Sequence, residues 1–311
     1  MTTHTTGKRR TLAAVPGGRA ILPVTEITGA APGPRALITA GIHGGEYPGM
    51  AASMELAAAL APEDITGTLT IVHAANPCAF WARRPELNEE DGKNLNREFP
   101  GDSRGTSTER LAHLLMDCFI RRADFYIDCH SGDIHEDLCP HVYYSKACAE
   151  AVSRASRDMA LAADVPYVVP SIARGGAYNC GAAAGVPSIL IEHGGNGLCT
   201  EDDVAAFRRD LVRILRRTGV LTGDRFPAEP MKETPREVKK VLYVMAEEDS
   251  CWRTALRQGD PVKRGDILGR TTNLFGDERK IYRAEEDGVL LYINTSFALL
   301  KGKVAAAYVV M

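Results

Sequence analysis

Largely apolar runs separated by glycine-punctuated polar stretches set the plan of this chain, beginning with Ala36-Leu37-Ile38-Thr39-Ala40. That run predicts a buried strand over 35–41, and a similar one over 19–27 precedes it across a Gly-Pro turn. Met50 to Leu60 predicts a helix from about 46 to 61, stopped by Pro62. Leu69 to Ala74 predicts another strand, with His73 as a structural residue inside it. Residues 76–101 show neither strand nor helix period and are rich in turn formers, so they predict a long ordered loop. Leu111, Leu114, Leu115, Cys118 and Phe119 recur at helical spacing within 108–121. A strand over 124–129, helices over 147–163 and 201–218, and a strand from Val186 to Glu192 complete an α/β region. The last of those strands is entered by a glycine-rich loop, 174–181, whose Arg174 and Tyr178 can face either substrate or solvent. A linker rich in glycine, proline and charge spans 221–238, and short strands punctuated by glycine follow it. The pattern predicts an α/β domain over 1–228 and a small C-terminal all-β domain over 229–311.

Two strand ends and one turn carry the candidate chemistry. Between the first buried strand and its helix lies Gly41-Ile42-His43-Gly44-Gly45-Glu46, where an imidazole and a carboxylate three residues apart can converge on one metal ion. Other readings stay open here: a phosphate cradle, a packing role for His43, or Glu46 serving only as an anion at a helix N-terminus. Neither the dinucleotide nor the P-loop glycine fingerprint is present, which weighs against the cradle. Asp128 and His130 are two apart on a strand and so share a face, the arrangement of a metal ligand with an orienting carboxylate. Adding His130 to His43 and Glu46 makes a His2Glu set, as in catalytic zinc sites that keep one position for water. Glu192 ends an apolar strand, a costly place for a carboxylate unless it is paired or at work, and it is the candidate general base. Pairing of Glu192 with an arginine, or a functional His193 instead, are the alternatives. In the long loop, Asn96-Arg97 suits a substrate carboxylate, and Arg83 or Arg84 could stabilise an oxyanion. Asp133, His135 and Glu136 lie close to His130 in sequence, but a complete His2Glu set leaves them as a flexible exposed loop beside the site.

Taken together and in order, these segments resemble the succinylglutamate desuccinylase/aspartoacylase family of the zinc carboxypeptidase superfamily. The resemblance rests on Gly41 to Glu46, Asp91-Gly92-Lys93-Asn94-Leu95-Asn96-Arg97-Glu98-Phe99-Pro100-Gly101, Asp128 to Ser131 and Ile191 to Gly195, and it spans nearly the whole chain. It implies a zinc-carboxypeptidase-like mixed sheet with helices on both faces, plus a C-terminal barrel-sandwich. It further implies one zinc ion on His43, Glu46 and His130, with Glu192 as acid/base and Asn96 and Arg97 on the substrate carboxylate. Arg83 is preferred over Arg84 as the arginine beside the metal. The implied activity is deacylation of an N-acyl amino acid, with a metallocarboxypeptidase as the second enzyme reading and a non-catalytic binding protein as the third. The β domain is expected to cap the site mouth or support assembly, leaving a homo-oligomer open. With Met231-Lys232 in the linker, no carried lipoyl or biotinyl group is expected.

Composition changes this picture little. Of 311 residues, 45% are apolar and 25% charged, with net charge −3, which argues against a nucleic-acid partner. No run approaches the roughly 20 apolar residues that span a bilayer, so no membrane partner is expected. Residues 1–10 read as a short polar tail rather than a signal peptide. Eight cysteines without a C-x-x-C pair read as reduced thiols of a cytoplasmic protein. Cys129 adjoins His130, but alternation turns it to the opposite face, as a core thiol.

Overall fold

Nine strands pair into one mixed sheet in a computed structural model that describes residues 6–232 and 234–310. In chain order the strands are β1 (Gly7–Ala14), β2 (Ile21–Thr28), β3 (Arg35–Ala40), β4 (Thr68–Val72), β5 (Phe125–His130), β6 (Glu136–Leu138), β7 (His141–Ser145), β8 (Tyr167–Ser171), β9 (Ser188–Glu192) and β10 (Arg236–Glu237). The sheet runs β1-β2-β4-β3-β5-β9-β7-β8-β10, and β6 lies outside it. Its centre, β4-β3-β5-β9, is parallel, so the carboxyl ends of β3, β5 and β9 open at the same edge. Ligands collect at such an edge in open α/β sheets.

Among the described residues six α-helices cover both faces: α1 (Tyr47–Ala59), α2 (Pro77–Trp81), α3 (Ser107–Cys118), α4 (Glu150–Ala160), α5 (Ala177–Ala183) and α6 (Glu201–Arg217). Side-chain alternation sorts the central strands between two cores. Ile38, Ile127, Cys129, Ile189 and Ile191 pack with Met50 and Leu56 of α1 and Phe207 and Leu211 of α6. Leu37, Tyr126 and Leu190 pack instead with Leu111 and Leu115 of α3 and Tyr178 of α5. Each fully buried Leu, Ile or Phe contributes about 1.5–3 kcal/mol, so burial on both sides fixes strand register. Helix α6 matches its dipole, with Thr200 accepting the Asp203 N–H, three acids in the first turn and Arg216 and Arg217 in the last.

Three expectations change. Residues 7–10 are not tail but part of β1, paired with β2 from Gly7↔Thr28 to Ala14↔Ile21; residues 1–5 of that expectation lie outside the described residues. The strand is exposed along most of its length, so it carries no apolar alternation, and Lys8, Arg9 and Arg10 guard its free edge. Lys8 also donates to the Leu60 carbonyl at the end of α1, at 2.8 Å. The long loop contains α2, capped where Ala79 N–H donates to Asn76 Oδ1. The glycine-rich stretch before β9 contains α5, seven residues too short to declare a period, with Tyr178 buried and Arg174 exposed in the approach.

The C-terminal module holds β11 (Lys240–Met245), β12 (Ser250–Arg253), β13 (Pro261–Val262), β14 (Ile267–Thr272), β15 (Glu278–Arg283), β16 (Gly288–Asn294), β17 (Ala298–Leu299) and β18 (Val304–Val310). Two antiparallel sheets, β11-β18-β16-β13 and β15-β14-β12-β17, enclose a core with Trp252, Tyr282, Leu290 and Tyr308. Residues on both sides of 233 still meet the α/β module: Arg213 donates to the Glu229 and Pro230 carbonyls, and β10 pairs with β8. Among the described residues no helix is long and apolar enough to cross a membrane.

His73 is structural. Ser53 Oγ donates to the Met50 carbonyl, so His73 Nδ1–H donates to Ser53 Oγ at 3.2 Å and Nε2 accepts from Thr25 Oγ1 at 2.8 Å. Burial, with a smaller repulsion from Arg10, holds its pKa down at about 4. An unfolded histidine titrates near 6.5, so the unfolded chain takes up a proton that the folded one refuses. Stability from this site is whole above pH 6.5 and is lost as pH falls toward 4, by about 3 kcal/mol. Denaturant titrations at pH 7.5 and 4.5 should show a His73→Gln variant losing less stability than wild type by that amount. Equal losses would remove His73 from the acid response.

Candidate active site

Backbone geometry brings the turn after β3 to the ends of β5 and β9. Gly44 and Gly45 let that turn lie against the 79–85 segment: a Cβ on Gly44 would meet the Ala79 carbonyl carbon at 2.5 Å and the Arg84 oxygen at 2.6 Å. Gly45 N–H donates to the Pro85 carbonyl at 3.2 Å. A side chain at either position would push the Arg83–Pro85 backbone off the turn. Glu46 occupies the N-cap of α1 yet makes no capping bond, so its carboxylate does not serve the helix.

That carboxylate instead joins the two histidines. His43 Nδ1 lies 2.6 Å from Glu46 Oε1, and His130 Nδ1 lies 2.9 Å from Glu46 Oε2. Ligand atoms of His43, Glu46 and His130 all fall within 4.8 Å of one another, the one such group among the described residues. Glu46 is 5% exposed and also accepts the Ser131 N–H at 3.3 Å. Burial opposes its charge, but His43 and then His130 prevail and hold its pKa at about 2. His43 is raised in turn: burial works against its protonation and Glu46 overcomes it. Behind His130, Nε2 lies 3.2 Å from Asp128 Oδ2, while Thr39 donates to Asp128 Oδ1 at 2.8 Å. A donor set of two imidazoles and one carboxylate, each backed by polar partners, fits a catalytic zinc ion.

Glu192 pairs in register with His130 on the neighbouring strand, and with His141 on the other side. Its Oε2 is buried with no hydrogen-bond partner, and no arginine pairs with it among the described residues. Burial pushes its pKa well above the usual carboxylate range, His130 pulls it back, and Glu46, Glu136 and Asp128 push the same way as burial. Such a carboxyl group holds a proton more readily than an ordinary glutamate does. His193 is engaged elsewhere: its Nε2 lies 2.8 Å from Asp210 Oδ2 and its ring packs on Phe207. Cys129 points into the core that holds Phe207, its thiol raised well above the ordinary range first by burial and then by Asp128.

Arg83, Arg84 and Arg97 are exposed, and none forms an ion pair among the described residues. Arg83 sits at φ 54, a left-handed conformation that costs a non-glycine residue roughly 1–3 kcal/mol. Asn96 is buried, and its Oδ1 accepts the Ala177 N–H at 2.9 Å, leaving only its NH2 for a ligand.

The 132–137 segment is exposed only at Ile134 and His135. Asp133 is 3% exposed, and β6 pairs with β16 of the C-terminal module, where Tyr292 Oη donates to Glu136 Oε1 at 3.2 Å. Nothing local marks a segment that a distant module will cover. Burial and the neighbouring Asp133 and Glu46 carboxylates push Glu136 up to about 7. Two residues escaped the sequence reading. Asn94 Oδ1 lies 3.1 Å from His43 Nε2. His141, beside Glu192, donates from Nδ1 to the Cys139 carbonyl at 2.7 Å and leaves its Nε2 buried without a partner. The polar Asn94-Leu95-Asn96 repeat was the available signal for the first; for the second there was none.

Comparison with known proteins bears on this geometry. A profile of the succinylglutamate desuccinylase/aspartoacylase catalytic domain matches residues 32–218. N-alpha-acetyl-L-2,4-diaminobutyric acid deacetylase from Halomonas elongata is 31% identical over 279 residues, 88% of this chain and 81% of the relative. Among solved structures, product-bound ectoine utilization protein EutE (DoeB) from Ruegeria pomeroyi superposes with TM-score 0.90 at 29% identity, covering 100% of this chain and 98% of that one. A succinylglutamate desuccinylase from Silicibacter sp. TM1040 follows at TM-score 0.86 and 28% identity, covering 100% and 97%.

Proposed function

This chain belongs to the succinylglutamate desuccinylase/aspartoacylase family, and from that premise we propose that it is a zinc-dependent amidohydrolase cleaving an N-acyl amino acid. The observation that carries the reading is the convergence of His43, Glu46 and His130 within 4.8 Å, beside an unpartnered Glu192 carboxyl. When bound by those three residues, zinc supplies Lewis acidity that makes water a usable nucleophile near neutral pH. Glu192 takes the proton from the attacking water and returns it to the departing nitrogen. The guanidinium of Arg83, with Arg84 as the alternative, stabilises negative charge growing on the acyl oxygen. Asn96 and Arg97 hold the substrate carboxylate.

The amino acid proposed for this site carries a side-chain amine. The Halomonas relative is named for such a substrate, and Asp133 and Glu136 are held in mutual repulsion with Glu46 that an ammonium would relieve. A carboxypeptidase acting on short peptides is the second reading. Contacts of the C-terminal module with Glu86 and Glu136 at the rim of the site favour small substrates over peptides.

Metal analysis with a screen of N-acyl amino acids tests the proposal. Purified protein should carry zinc and release free amine from N-acetylated amino acids, with N-acetyl-2,4-diaminobutyrate among the best. A chelator should abolish release and zinc restore it. Chelator-insensitive turnover would overturn the metal assignment, and faster turnover of tripeptides would favour the carboxypeptidase.

A further inference from the structure

We propose that Lys303 of the C-terminal module acts as a positioning residue for the metal ligand His43, through Glu86 and Asn94. The inference rests on the zinc reading above. Lys303 Nζ donates to both oxygens of Glu86, at 3.0 and 2.9 Å, across 217 residues of sequence. Asn94 Nδ2 donates to Glu86 Oε2 at 3.4 Å, and Asn94 Oδ1 accepts the Asn96 N–H at 2.9 Å and faces His43 Nε2 at 3.1 Å.

The chemistry of each group dictates the orientation of the next. A carboxylate only accepts, so the side of Asn94 that meets Glu86 is its NH2. The other side is then the carbonyl oxygen, as the Asn96 N–H also requires. An oxygen facing His43 Nε2 makes that nitrogen a donor, so a proton stays on Nε2 and the nitrogen that can give up its proton to a metal is Nδ1. Nδ1 is the atom that faces Glu46. Without Lys303, a Glu86 side chain that is already 30% exposed is free to turn to solvent, and Asn94 loses its NH2 partner.

Coulomb attraction alone predicts the opposite sign, so the two accounts separate. Removing a cation near a cation site would tighten zinc; removing the anchor of a relay loosens it. Zinc affinity is measured by competition with a chromogenic chelator on the full-length wild type, Lys303→Met, Lys303→Arg, Asn94→Ala and the Lys303→Met/Asn94→Ala pair. Removing partners behind a ligating histidine costs roughly 10–100-fold in metal affinity, so Asn94→Ala should fall in that range and Lys303→Met near its lower end. Lys303→Arg should retain wild-type affinity, and the pair should bind as Asn94→Ala does, since both changes act through one path. Thermal melts of the metal-free proteins should show Lys303→Met as stable as wild type, because an exposed ion pair adds little. Unchanged or tighter zinc binding by Lys303→Met, or an equal further loss in the Asn94→Ala background, would overturn the relay. A wild-type protein that binds no zinc would instead bring down the reading on which the relay rests.

Discussion

Glu192→Gln should lower kcat by roughly 10²–10⁴-fold, the usual worth of a positioned acid/base, while leaving zinc content unchanged. Glutamine keeps the shape of the side chain but can neither take a proton from water nor return one to nitrogen. Glu192 stands outside the group of residues whose ligand atoms converge, so zinc should stay. Its Oε2 has no hydrogen-bond partner to lose, and removing an ionisable group that burial disfavours costs the fold little. Steady-state kinetics with metal analysis of the same preparation checks this. Full turnover with zinc bound would take Glu192 out of the chemistry.

His130→Ala should abolish zinc binding and destabilise the chain by about 3–5 kcal/mol, the cost of stripping one partner from a buried charge pair. The ring stands between two carboxylates, 2.9 Å from Glu46 and 3.2 Å from Asp128. Without it both remain at the sheet edge, Asp128 with no exposure at all, and Glu46 keeps only His43 as a cationic neighbour. Cys129→Ala provides the contrast, since its thiol lies in the core on the other face. It should lose a little stability and no zinc. Denaturant titration and chelator competition on both variants separate the predictions. Zinc binding by His130→Ala at wild-type affinity would refute the ligand set.

The chemistry was legible where it was local. His43 and Glu46 share one turn, and Asp128 and His130 share one strand face, so spacing raised them as candidates and the family resemblance chose among the open readings. Alternation also separated Cys129 from His130. Sequence reasoning failed where structure depends on remote partners. Strand β1 has solvent along most of its length and hence no apolar signature, and α5 is too short to show a period. The 132–137 segment reads as exposed because nothing in it foretells β16, more than 150 residues later.

From its own order of residues the chain determined two buried strands ending in ionisable groups, a glycine turn bearing His43 and Glu46, and a glycine-punctuated β tail. Those are properties of neighbours within a few positions, and backbone periodicity enforces them. Only the tertiary structure decided that Glu46 serves two histidines instead of its helix, that Glu192 lacks a partner, and that Lys303 reaches Glu86. These depend on which strand ends meet at one edge of the sheet and on which module covers them, and pairing over such separations leaves no periodic trace.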